Sequence, residues 1–190
     1  MLGNLEPEEN VWDGKVNMID YKIHKSQLIT DNKDQMVRLI HQAHSVHQTI
    51  LGGRDSTWSY GLYNFFALTS PNLIFKELFF ELKDIIYDYV PEKHKWVQCW
   101  LNYHTPDTVL DWHNHEWKYH GYICIDPQNT KTVFEDYEIK NEVGNIYIGP
   151  GYRQHKVVVE DNFYKPRITL GFDVCVDPMD SQQMLSLIPI

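Results

Sequence analysis

Arginine is scarce in this chain. It occurs four times, as Arg38, Arg54, Arg153 and Arg167. Lys and Arg together number 17 against 26 Asp and Glu, for a formal net charge of -9. No basic block stands out, so the electrostatic footprint of a phosphate-backbone binder is missing and no nucleic-acid partner is expected. Cysteine is sparse too. Cys99, Cys124 and Cys175 lie far apart in apolar runs and read as three reduced core thiols, not a disulfide framework. No apolar run approaches the roughly 20 residues of a membrane helix. The opening MLGNLEPEENVWDGK is acidic and lacks the basic-then-apolar pattern of a secretory leader. These absences read as a cytoplasmic protein with no membrane partner.

Apolar residues are plentiful by contrast, at 43%, with 14% aromatic. Over 190 residues that is enough for one packed domain, expected to run 1–190. The first part, 1–91, reads as helical or mixed. NKDQMVRLIHQAHSVHQTI places Met36, Leu39, Ile40, Ala43, Val46 and Ile50 at a helical period, with Asn32 and Gln35 resembling a capping box. His41, His44 and His47 ride on that helix and are expected to be a packed or solvated face. GGRDSTWSYGLYNFFALTSP reads as a loop. SPNLIFKELFFELKDIIYDYVPE is the strongest helix, with Ser70 as cap, Pro71 in the first turn and Pro91 as its end. Its wide apolar stripe is expected to cover one side of a sheet.

After Pro91 the period changes to two. Strands are expected over KWVQCWLNYH, TVLDWHNH, KYHGYICI, TVFEDYEI, GNIYIG, HKVVVE and RITLGFDVCV. Short strands with regular turn signals suggest an α+β protein. Its core at 92–176 would be a double-stranded β-helix, or jelly roll, with the N-terminal helices packed on one sheet and 177–190 as a tail.

Within that core, His113 and His115 stand two apart. On a strand such residues face the same way, roughly 7 Å apart, so their imidazoles can converge on one ion. His155 follows about 40 residues later, after a Pro-Gly turn, where jelly-roll closure can bring it against the first two. His104 and His120 read as hydrogen-bonded or exposed. Arg167 comes twelve residues after His155, in phase with Thr169, Gly171 and Asp173. A guanidinium on an inner face is costly without an anion. A carboxylate ligand would supply one through bidentate hydrogen bonds, with Thr169 adding another.

In this order and spacing, HNH, the histidine of PGYRQH and the Arg-x-Thr of RIT resemble the Fe(II)/2-oxoglutarate-dependent dioxygenases. Trp100-Leu101-Asn102 ahead of the HxH, and His120-Gly121-Tyr122 after it, are similar to an HxH-type subgroup frequent in phages and bacteria. STWSYGLYNF and FKELFFELKDII resemble that subgroup's segment before the barrel. The resemblance covers roughly residues 50 to 175. It implies Fe(II) and 2-oxoglutarate as cofactors, with His113, His115 and His155 as metal ligands. It also implies Arg167 and Thr169 on the distal carboxylate, with Tyr122 and Asn102 beside the cosubstrate. The implied reaction takes O2 and hydroxylates an unidentified protein side chain or small molecule, releasing succinate and CO2. Most of that superfamily has HxD or HxE, so the ligand set stays open between three histidines and one that includes Asp111 or Glu116. The subgroup's serine is His120 here. Two rival readings remain: a cupin-like metalloprotein that does not use 2-oxoglutarate, and a metal-free jelly-roll binding module.

Overall fold

The backbone alternation that drives the sequence reading is expressed in two antiparallel sheets. The structure, a computed structural model, describes residues 20–51, 63–176 and 187–190. The expected loop across 52–62 and most of the expected tail lie outside those residues.

The elements run β1 (Lys22–Lys25), α1 (Gln27–Leu51), α2 (Phe65–Thr69), α3 (Leu73–Tyr89) and β2 (Trp96–His104). After a single 3-10 turn at Pro106–Thr108 come β3 (Tyr119–Asp126), β4 (Thr130–Phe134) and β5 (Glu138–Lys140). Then follow β6 (Asn145–Pro150), β7 (His155–Val159), β8 (Arg167–Cys175) and β9 (Ile188–Pro189). Six strands form one sheet in the order β1-β6-β3-β8-β2-β9, and three form another in the order β5-β4-β7. The fold is therefore α+β with two antiparallel sheets, compatible with a jelly-roll arrangement. No closed barrel forms among the described residues.

Helix starts differ from the sequence expectation. Helix α1 begins a turn and a half before Asn32, because buried Ser26 accepts the backbone N–H of Ile29 at 3.2 Å and donates to Glu81 at 2.7 Å. Asn32 is interior, donating to the Leu28 carbonyl. Helix α3 is capped by Asn72, whose Oδ1 accepts from Ile74 N at 3.1 Å, so Ser70 and Pro71 precede the cap. It ends at Tyr89, ahead of Pro91 as expected. The expected loop before it contains α2, capped by Asn64.

The expected strand over 108–115 is absent. Only His113 bridges, to His155. The expected strand over 132–139 is two strands, β4 and β5, paired through a turn.

The six-stranded sheet sorts its residues by parity. On β8, Ile168, Leu170, Phe172 and Val174 join Ile29, Met36 and Ile40 of α1 and Leu78, Leu82 and Ile86 of α3 in one buried cluster. Burying a side chain of this size is worth about 1.5–3 kcal/mol, so the helices hold that face shut. Arg167, Thr169, Gly171 and Asp173 point the other way. Flanking β2 pairs Trp100 with Gly171, Asn102 with Thr169 and His104 with Arg167. Flanking β3 pairs His120 with Asp173 and Tyr122 with Gly171. Three adjacent strands thus lay their polar residues side by side on one face.

Gly171 is fixed by that packing. A Cβ there would lie 2.5 Å from the Trp100 indole, a rigid ring that is 3% exposed and has nowhere to go. Gly171→Ala is expected to destabilise the protein by about 1–3 kcal/mol, the usual cost of overpacking. Urea unfolding checks this, and an unchanged midpoint would contradict the packing described.

Candidate metal centre

Segment 110–115 is held as an extended chain without becoming a strand. His113 N donates to His155 O at 3.0 Å and His155 N to His113 O at 2.9 Å. His115 N donates to Gly151 O, and Val157 N to Leu110 O, both at 2.9 Å. Gly151 permits the close approach, since a Cβ would sit 2.0 Å from the Trp117 carbonyl. These bonds run the HNH segment alongside the chain entering β7, which is why His113 and His155 meet.

Four imidazoles gather there. The ring centroids of His113, His115 and His155 are 4.3 Å (113–155), 5.4 Å (113–115) and 5.4 Å (115–155) apart. Rings bound at right angles about 2.1 Å from one ion would sit roughly 4.5–5 Å apart. His120 stacks face to face on His115, at 3.5 Å and 10°. Two overlapping groups of donor atoms each lie within 4.8 Å: His113, His115 and His155, and the more buried His115, His120 and Asp173.

Hydrogen bonds at Nδ1 set the tautomers. His113 Nδ1 lies 2.6 Å from the Asp111 carbonyl, and His155 Nδ1 lies 3.1 Å from the Arg153 carbonyl. Carbonyls only accept, so both nitrogens carry the proton. Asp173 Oδ1 lies 3.1 Å from His115 Nδ1 and 3.0 Å from His120 Nδ1. In a neutral ring with its proton on Nδ1, the lone pair is on Nε2, the form in which imidazole binds metals. His115 Nε2 is buried with no hydrogen-bond partner. A buried acceptor left open in this way is what an ion would fill.

Arg167 is the other anomaly. It is 3% exposed, yet among the described residues no carboxylate lies within 4.0 Å of it. Its Nε donates to Thr130 Oγ1 at 3.3 Å and its Nη1 to Thr169 Oγ1 at 3.1 Å. Thr130 Oγ1 also accepts from Asn141 and donates to the Pro127 carbonyl, so it is fully used. Thr169 Oγ1 accepts a second bond from Asn102 Nδ2 at 3.3 Å. Its lone pairs are then occupied and its O–H is left to donate. Arg167 and Thr169 thus present donors without an acceptor among the described residues. The Asn102 Oδ1 is buried without a partner.

Burial governs the charges. It pushes the His155 imidazole down to about 2, with His120 and His113 alongside adding to the shift. Burial likewise brings His120 down to about 4 and lowers His113. Burial alone would raise Asp173, but the hydrogen bonds from His115 and His120 outweigh it and hold the carboxyl below its ordinary range. All three lowered imidazoles have folded values below the unfolded 6.5. Their stabilisation is therefore complete above pH 6.5 and declines below it, where the unfolded chain takes up protons that the folded protein refuses. For His120 the loss runs from 6.5 to about 4. The metal-free protein is expected to lose urea resistance steadily from pH 7 to pH 5. Each group contributes up to about 1.4 kcal/mol per pH unit. A flat profile would contradict neutral burial.

The sequence-expected residues His113, His115, His155, Asn102, Tyr122, Arg167 and Thr169 line one cavity, with His120, Thr132 and Trp100. His120, expected to be hydrogen-bonded or exposed, is hydrogen-bonded to Asp173 at 3.0 Å and stands at the site. Its pairing with Asp173 on β3 and β8 puts it there. Asp111 and Glu116 are exposed and belong to neither donor group, Asp111 capping Trp112 N instead. The carboxylate at the site is Asp173, which sequence reasoning placed on the right face without giving it a role. Its signal was its phase with Arg167. His44 and His47 pack on Tyr103 and Tyr63, as a packed helix face should. The three cysteines are buried. A larger apolar groove of about 550 Å³ lies between α1 and the α2–α3 turn, away from this chemistry. Among the described residues no helix is long and apolar enough to cross a membrane.

No protein-family model matches the chain, and a search of curated proteins found no match. The buried His/His/Asp group and two-sheet α+β frame are consistent with an oxygenase-like metal site.

Proposed function

We propose that this protein is an Fe(II)- and 2-oxoglutarate-dependent dioxygenase on a jelly-roll frame, hydroxylating a protein side chain or small molecule. His113, His115 and His155 would hold the iron through Nε2, leaving positions open for the keto acid and O2. The bound iron and keto acid supply the oxygen-activating chemistry. The chain's own residues hold, orient and exclude water.

The observation that carries the reading is Arg167, a buried cation without an anion among the described residues. Isolated buried charges cost several kcal/mol, and a distal carboxylate is the partner that offsets this one. Strand β8 carries the complementary anomaly at its other end. Asp173, 2% exposed, is paired with the imidazoles of His115 and His120 and with no lysine or arginine among the described residues. One face of one strand therefore lacks a cation at Asp173 and an anion at Arg167. A metal chelated by a dicarboxylic keto acid supplies both. Arg167 also separates this reading from a cupin-like one, whose chemistry has no need of it.

The cavity is narrow, about 30 Å³, room for about two waters. A five-carbon diacid fits only if lining side chains turn outward. The wall made by 110–115 rests on four backbone hydrogen bonds instead of a full ladder.

Adding Fe(II) and then 2-oxoglutarate anaerobically tests the proposal. A visible iron-to-cosubstrate charge-transfer band is expected on the second addition. Iron binding that is indifferent to 2-oxoglutarate would favour the cupin-like reading, and no iron binding a metal-free module.

A further inference from the structure

The three proposed ligands are neutral, so an HxH site lacks the negative charge that a carboxylate ligand brings. The structure places a carboxylate close by. Asp173 accepts from His115 Nδ1 at 3.3 Å through Oδ2 and from His120 Nδ1 at 3.0 Å through Oδ1. A deprotonated carboxylate only accepts, so it fixes the proton of both rings on Nδ1.

Asp173 and His120 are not placed to be ligands themselves while His115 is one. An ion must lie near the plane of each imidazole it binds. The His115 and His120 rings are nearly parallel, 10° apart with centroids at 3.5 Å, and parallel planes at that spacing share no such point. Both Asp173 oxygens are engaged by ring N–H groups, Oδ1 by His120 and Oδ2 by His115. His120 is held in turn by its cross-strand pairing with Asp173, and Trp100 stacks at 26° to both rings.

We propose that Asp173 is the positioning residue of the metal centre. It aims the His115 Nε2 into the cavity and passes negative charge to the metal through that ring, while His120 braces His115 from behind. The carboxylate that the HxD pattern puts on the metal would here act one imidazole further away. This rests on the metal-centre reading above.

The metal-free native protein provides the first test, by long-range ¹⁵N–¹H correlation of the histidine rings. His115 and His120 are both expected as Nδ1–H tautomers, and an Nε2–H form at either overturns the proposal. Asp173→Asn, nearly isosteric, should lower Co(II) affinity about 10–100-fold, the usual effect of losing a partner of a ligating histidine. A change below about threefold overturns the proposal. His120→Phe keeps a stacked ring and should keep Co(II) affinity within about tenfold of native, whereas His113→Ala should lose more than about 100-fold. If His120→Phe instead loses as much as His113→Ala, His120 is a ligand and the proposal falls. Failure of the native protein to bind Co(II) at all would instead overturn the metal-centre reading itself.

Discussion

Arg167→Met is expected to make the metal-free protein more stable and to abolish its response to 2-oxoglutarate. The two effects have one cause. Among the described residues the buried guanidinium donates only to hydroxyls, those of Thr130 and Thr169. Replacing buried charges by apolar side chains of similar volume has stabilised other proteins by about 1–4 kcal/mol. Methionine fits an irregular gap and leaves no hydroxyl stranded, because Thr130 still accepts from Asn141 and Thr169 from Asn102. With the diacid present the order reverses. At a ligand concentration about 100 times its Kd, the native protein should gain about 2.7 kcal/mol. The variant should gain none, having lost the charge that pairs with the distal carboxylate. Thermal melts of both proteins, loaded with metal, with and without 2-oxoglutarate, read both halves. A variant less stable than native when empty, yet equally stabilised by 2-oxoglutarate, would mean that the arginine has a structural role.

His155→Ala should cost more than about 100-fold in Co(II) or Fe(II) affinity, beyond the range seen for residues that only support a ligand. The substitution leaves the backbone bridge intact, since His155 pairs with His113 through N–H and carbonyl groups. The loss is therefore assignable to the imidazole. A second readout needs no metal. Burial pushes the His155 imidazole down to about 2. Removing it takes away one group that resists protonation when folded and accepts it when unfolded. Between pH 6.5 and pH 4 the stability slope of the variant should be shallower by up to about 1.4 kcal/mol per pH unit. Calorimetric metal titration and urea unfolding at stepped pH check the two halves. Native metal affinity in the variant would remove His155 from the centre.

The parity of the sheets was legible in the chain, because a pleat sends successive side chains to opposite faces whatever the tertiary structure does. RITLGFDVC needed only that rule to set Arg167, Thr169, Gly171 and Asp173 on one side and Ile168, Leu170 and Phe172 on the other. The long amphipathic helix ending before Pro91 was legible for the same local reason. Helix starts were less so. Asn32 and Ser70 are good caps by type, but Ser26 and Asn72 hold the positions, Ser26 through a bond to Glu81 that is 55 residues away. The strand expected at 108–115 failed because its partner is the chain entering β7, and the pairing stops after one bridge.

What the sequence determined by itself was the set of side chains that share a face: the HxH pair, the late histidine, and the arginine with its threonine. What only the tertiary structure decided was how those faces meet. Register between β3 and β8 set His120 opposite Asp173, and nothing local to either strand specifies that. The fold therefore chose the carboxylate beside the imidazoles, Asp173 in place of Asp111 or Glu116. It also left Arg167 buried without an anion among the described residues, because counter-charges in a packed interior come from wherever the chain returns, not from neighbours in sequence.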